Sequence, residues 1–171
     1  AYGVFAPGIA DFSQAYQTAH HLLLSHGKAV QVFREGGFKG EIGIVIDYQY
    51  NQPASDSEAD QVACQRAFES EVGLYLDPLF KAEYPETLFN WIGLHAPTVE
   101  EGDMKLISMP IDFLGLNYYM TQAISFDYLG GLLKYSIDQV SAPGWDRTAV
   151  DWGVNPNGLT AMLLDVKERY N

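Results

Sequence analysis

A single cysteine, Cys64, stands in 171 residues, so no disulfide can close within the chain and a small disulfide-stapled fold is excluded. Its place in a helical stretch suits a small core residue, and a chain without internal disulfides fits a reducing, cytoplasmic compartment. Basic residues are equally scarce: ten Lys and Arg stand against 22 Asp and Glu, a net charge of −12, with no basic cluster anywhere. That balance excludes nucleic acid as a partner, because phosphate neutralisation needs a basic face. It describes instead a solvated acidic surface. No run of about 18 apolar residues occurs, which excludes a membrane-spanning helix. His20, His21, His26 and His95 lack metal-ligand spacing, and no G-x-S-x-G, G-x-G-x-x-G or P-loop pattern is found. Zinc, serine-hydrolase, dinucleotide and P-loop chemistries therefore have no motif here.

What is present reads as a globular α/β chain, with 47% hydrophobic and 19% charged residues. Phe12, Ala15, Tyr16, Ala19, Leu22, Leu23, His26, Val30 and Phe33 recur in steps of three and four, the stripe of a long helix that Gly36 and Gly37 stop. Residues 41–47 form a short β-branched apolar run, as in a parallel strand covered on both faces. Ser55 with Glu58 predicts a capping box and a helix over 56–72 that ends near Gly73. The stretch 76–97 mixes Pro78, Pro85 and Pro97 with aromatic residues and predicts short helical turns. A modest helix is predicted over 99–108, and a second buried-type strand over 111–119 with polar groups crowding its C-terminal end.

Residues 120–154 make a connection too long for a simple turn, with room for a weak strand within 120–128. Asn155 and Pro156 then open a final helix whose stripe is Leu159, Met162, Leu163, Val166 and Tyr170. Two strands joined by a long crossover must run parallel. A parallel pair alone leaves open edges, so the pattern reads as part of a larger barrel. The C-terminal ends of its strands are where chemistry is expected.

At Asn117-Tyr118-Tyr119 a family resemblance becomes specific. Residues 112–119, Asp-Phe-Leu-Gly-Leu-Asn-Tyr-Tyr, resemble the sixth barrel strand of glycoside hydrolase family 1, the family of retaining β-glucosidases. Ala6-Pro7-Gly8 followed by the stretch 20–26 is similar to that family's H-A-P-G and H-N-L-L-x-A-H segments, which lead into the fourth helix. Residues 39–45 resemble the fifth strand; 77–85 resemble D-P-L-F-x-G-x-Y-P, with Ala82 in place of Gly; 152–159 resemble W-x-I-x-P-x-G-L. The five motifs stand in the family's order and span nearly the whole chain.

The resemblance implies a partial (β/α)8 TIM barrel, from the fourth helix through the region of the sixth, with about two barrel strands and their crossover helices. Residues 1–171 would form the central part of one barrel domain. The family's acid/base glutamate lies in a T-x-N-E-P segment and its nucleophile in an I-T-E-N-G segment, and neither occurs in this sequence. The chain opens Ala1-Tyr2-Gly3 without an initiator Met or signal-peptide pattern, so both segments are expected outside it and the chain alone is expected to be inactive. The resemblance further implies hydrolysis of terminal β-D-glucosidic bonds, with no metal or organic cofactor, β-glucosides as substrates and the remaining barrel segments, in the same or a separate chain, as partners.

By residue, Tyr119 matches the tyrosine that orients the nucleophile, and Asn117 matches a polar contact to the cleaved sugar. Trp152 matches the tryptophan stacking on the leaving group, and Asp47 stands where relatives often carry an aglycone-facing Asn. Phe5 replaces the His of H-A-P-G and would suit an apolar aglycone. His21 replaces the Asn of H-N-L-L, a departure of structural consequence. Two other readings fit the same residues: a non-catalytic α/β module that binds sugar or protein, and a 6-phospho-β-glucosidase.

Overall fold

The computed structural model describes residues 6–138, 146–150 and 152–170. Its elements run α1 (Phe12–Glu35), β1 (Gly43–Asp47), β2 (Tyr50–Pro53), α2 (Glu58–Phe68), a π turn (Glu69–Gly73), α3 (Leu74–Lys81), α4 (Glu86–Ile92), α5 (Asp103–Ile107), β3 (Phe113–Asn117), β4 (Thr121–Phe126), β5 (Tyr135–Asp138) and α6 (Pro156–Tyr170). None of the described helices is long and apolar enough to cross a membrane. The contacts divide the chain into two compact units, Ala1–Ile44 with Leu74–Leu114, and Val45–Gly73 with Gly115–Asn171.

In the first unit, α1 begins where the Asp11 carboxylate accepts the Gln14 backbone N–H at 2.8 Å, and it stops at Gly36 and the positive-φ Gly37. Its buried face is Tyr16, Ala19, His20, Leu23, Gly27 and Val30. The predicted stripe is thus rotated slightly, for Leu22 is 59% exposed and His20 is 1% exposed. His20 can occupy a core position because both ring nitrogens are partnered, Nδ1 with the Tyr84 hydroxyl at 2.8 Å and Nε2 with the Asp103 carboxylate at 3.1 Å. The Asp103 carboxyl is held low by the Glu100 backbone N–H and by His20. Gly27 lets α5 approach: a Cβ there would stand 2.5 Å from the Leu106 carbonyl oxygen. At the lower end of the strand pair, the Asp112 N–H donates to the Ile42 carbonyl at 2.8 Å.

In the second unit, α2 lies on a three-stranded sheet of order β2-β4-β5, β2 parallel and β5 antiparallel to β4. Ala63 and Ala67 of α2 meet Ile124 of β4, with Tyr135 and Ile137 packed alongside. The weak strand foreseen within 120–128 is β4, whereas β2 and β5 carry too short an alternation to be read from the sequence.

The predicted capping box does not form: the helix starts two residues later, and the Ser57 N–H donates to Ser55 Oγ at 3.2 Å instead of to a carboxylate. Ser57 is the N-cap and accepts the Asp60 N–H at 3.2 Å, while Ser55 bonds the Asp60 carboxylate at 2.5 Å. Asp60 also accepts the Phe126 N–H at 2.7 Å, tying the start of α2 to β4. The helical path does not end near Gly73 either. It widens into a π turn and continues as α3, and Gly73 is buried within it without the positive φ of a helix-ending glycine. The helix predicted over 99–108 contracts to α5, which Gly102 opens at φ 95.

The Gly27 contact has a direct test. A helical Gly→Ala change ordinarily favours helix by about 1 kcal/mol, but Gly27→Val is expected to destabilise by ~1–3 kcal/mol, because the branched side chain must displace the α5 backbone. Urea denaturation at fixed pH measures it, and an unchanged midpoint would contradict the close approach.

Candidate active site

Strands β1 and β3 pair side by side, and at their C-terminal end the Tyr48 N–H donates to the Asn117 carbonyl at 2.9 Å. Alternation along each strand then assigns the side chains to faces. A Cβ on Gly115 would stand 2.9 Å from Val45 Cγ2, so Val45 and Gly115 share one face, and with them Asp47 and Asn117 two residues on. That face is open: Val45 is 58% exposed, and Asp47 and Asn117 are exposed. The predicted covering of β1 on both faces is therefore not observed, since only the Ile46 face is packed among the described residues.

Tyr48 points to the opposite face, fully buried, where its hydroxyl donates to the Asp165 carboxylate at 2.6 Å. Burial first, and Asp165 second, push the Tyr48 hydroxyl well above its ordinary range. Asp165 also accepts Arg169 Nε at 2.8 Å, and the Arg169 guanidinium lies 4.0 Å from the Phe68 ring centroid. Tyr118 reaches in the same way to the start of α6, its hydroxyl 2.9 Å from the Thr121 Oγ1 and donating to the Asn155 carbonyl at 2.9 Å. The Asn155 amide nitrogen is taken up by Thr121 Oγ1 at 3.0 Å.

Tyr119 remains free of these tethers. It is 51% exposed, and its ring meets Trp152 edge to face with centroids 5.8 Å apart at 62°. Two of the sequence-predicted residues are thus brought together, and Asn117 lies two positions before Tyr119 on the same chain. Asp47 is placed at the neighbouring strand end, where its carboxylate accepts Gln49 Nε2 at 2.9 Å. Phe5 lies outside the described residues. Among the described residues no group of three or more His, Cys, Asp and Glu could hold a metal ion.

Sequence reasoning missed Glu71. It sits in the π turn behind the strand ends and accepts Asn51 Nδ2 and the Tyr135 hydroxyl, each at 2.9 Å. Burial pushes its carboxyl up against those two bonds, and Asp47 adds to the rise. A helical Glu in an acidic chain gives no sequence signal of such burial; the π turn that rotates it inward is a tertiary feature.

With this geometry in view, comparison with known proteins is specific. The family model of glycosyl hydrolase family 1 matches residues 1–171. The 1,4-beta-D-glucan glucohydrolase of Thermotoga neapolitana is 37% identical over 171 residues, covering 99% of this chain and 39% of that protein. A solved beta-glucosidase from Exiguobacterium marinum superposes with a TM-score of 0.91 at 30% identity, over 100% of this chain and 39% of the other. The virulence factor SghA of Agrobacterium tumefaciens, solved with its substrate analog salicin, superposes at 0.90 with 34% identity, over 99% and 37%. The chain thus spans well under half the length of the relatives it matches.

Because Tyr48 supports the strand end through both its backbone and its hydroxyl, Tyr48→Phe is expected to cost ~1.5–3 kcal/mol, the range for a buried hydrogen bond to a charged group. Chemical denaturation of the variant checks this; a loss below a few tenths of a kcal/mol would show that the Asp165 bond contributes little.

Proposed function

The chain belongs to glycosyl hydrolase family 1, and we propose that it is the central segment, fourth helix through the sixth-helix region, of a single (β/α)8 barrel domain in a retaining β-glucosidase. Its neighbours in fold are β-glucosidases whose barrel it covers in part. The observation that carries the proposal is the contact of Tyr119 with Trp152 at the C-terminal end of the strand carrying Asn117. Barrel enzymes do their chemistry at that end of the strands.

In this reading the reaction is a double displacement. One carboxylic acid protonates the leaving oxygen, a carboxylate roughly 5 Å away attacks the anomeric carbon, and water later releases the sugar. Both carboxyl groups come from barrel segments other than 1–171, and no metal or organic cofactor takes part. Tyr119 donates its hydroxyl to the nucleophile, orients it and favours its ionised form. Asn117 hydrogen-bonds the sugar being cleaved, Trp152 walls the leaving group with its ring, and Asp47 and Phe5 face the aglycone. Substrates are β-glucosides; the salicin complex of SghA supports this class.

The test is release of a chromogenic aglycone from an aryl β-glucoside by the full-length protein. Tyr119→Phe is expected to lower kcat about 100-fold, the cost of a misplaced reacting group, and to move the acidic limb of the kcat/KM profile to higher pH. The sign follows from its role: a carboxylate that loses a donated hydrogen bond ionises less readily, so its pKa rises. Trp152→Ala is expected to raise KM roughly tenfold for aryl glucosides, through the loss of ~1–2 kcal/mol of ring contact. An unmoved pH profile would remove Tyr119 from the site, and absence of turnover by the full-length protein would remove the function. The isolated 171-residue chain is expected to release no aglycone; substantial turnover by the pure chain would contradict the assignment of both carboxyl groups to other segments.

A further inference from the structure

In the second unit, three buried side-chain amide oxygens have no hydrogen-bond partner among the described residues. Asn51 gives its amide N–H to Glu71, and its own Oδ1 is left buried with no partner among the described residues. The same is true of Oε1 of Gln122 and of Gln49. Gln122 is 7% exposed and pairs with Asn51 in the parallel β2–β4 register, which sets the two side chains next to each other on one face of the sheet. That is the face turned to α2, since Ile124, two residues further along β4, packs on Ala63 and Ala67. Tyr135 lies on it too and reaches Glu71. The unpaired Gln122 carbonyl is therefore aimed into the buried layer that holds Asn51 and Glu71.

Among the described residues the Glu71 carboxylate accepts hydrogen bonds from the Asn51 amide and the Tyr135 hydroxyl, and neither partner is a cation. A partly buried carboxyl beside unpaired amide oxygens is stabilised when a further donor or a positive charge joins it.

We propose that Glu71, Asn51 and Gln122 form an oxygen-only binding site for a hard cation of the sodium or calcium type. Carboxylate and amide carbonyl oxygens are the ligands such ions take, with water completing the shell. Zinc-type ions, which need imidazole or thiolate, have no ligand cluster here. Of the three residues, Asn51 also lines a cavity of about 270 Å³, whose other lining includes Tyr50, Cys64 and Arg169. The net charge of −12 draws cations toward the chain. Nothing in this site depends on the glucosidase reading.

The experiment is isothermal titration of the full-length protein, stripped of metal and held in choline chloride, with CaCl2 and separately with NaCl, alongside melting curves at matched ionic strength. One saturable site for at least one of the two ions is expected, with a melting temperature that rises with that ion and not with added choline. Glu71→Gln and Gln122→Leu are each expected to weaken binding by at least about tenfold. No saturable binding by the wild-type protein, or binding unchanged in a folded Glu71→Gln variant, would overturn the proposal. If that variant does not fold, Gln122→Leu and the wild-type titration decide in its place.

Discussion

The parallel register of β1 and β3 is the constraint from which the candidate site follows. The bond from the Tyr48 N–H to the Asn117 carbonyl fixes which residues of the two strands stand opposite one another. With that register set, Val45, Asp47, Gly115 and Asn117 share the open face, while Ile46 and Tyr48 are buried on the other. A slip of one residue would exchange the faces, burying Asp47 and exposing Tyr48. The tethers from Tyr48 to Asp165, and from Tyr118 to Asn155, oppose such a slip by tying the far face to α6.

That division also explains why consecutive tyrosines have different fates. Tyr118 spends its hydroxyl on the α6 start and is structural, whereas Tyr119 is left exposed against Trp152. An aromatic ring that is half exposed and positioned by another ring suits a face that a planar or sugar-like ligand can approach. The open face of β1, and exposed apolar residues of α6 such as Leu163 and Leu164, fit a sheet that further barrel segments would cover.

Much of this was legible in the sequence, and the limits are physical. The long helix with its stop at Gly36 and Gly37, both barrel-type strands and the final helix all follow from local periodicity and end signals. Ordered motifs pointed to the family, and they placed Tyr119 and Trp152 in one neighbourhood although 33 positions separate them in sequence. Local signals failed where two serines compete for one cap: Ser55 has the right spacing to Glu58, but Ser57 takes the N-cap and Ser55 accepts the Ser57 N–H. They failed again at Gly73, where the chain passes through a π turn into α3 instead of stopping. Glu71 was invisible because its burial depends on Asn51 and Tyr135, residues 20 and 64 positions away.

The most direct measurement is a crystal structure of the full-length protein with a β-glucoside analogue bound. The expected result is a sugar within hydrogen-bond distance of the Asn117 side chain, the leaving group against the Trp152 ring, and the Tyr119 hydroxyl bonded to a carboxylate from another barrel segment. An analogue bound away from the C-terminal ends of β1 and β3, with Tyr119 making no contact to a carboxylate, would contradict it.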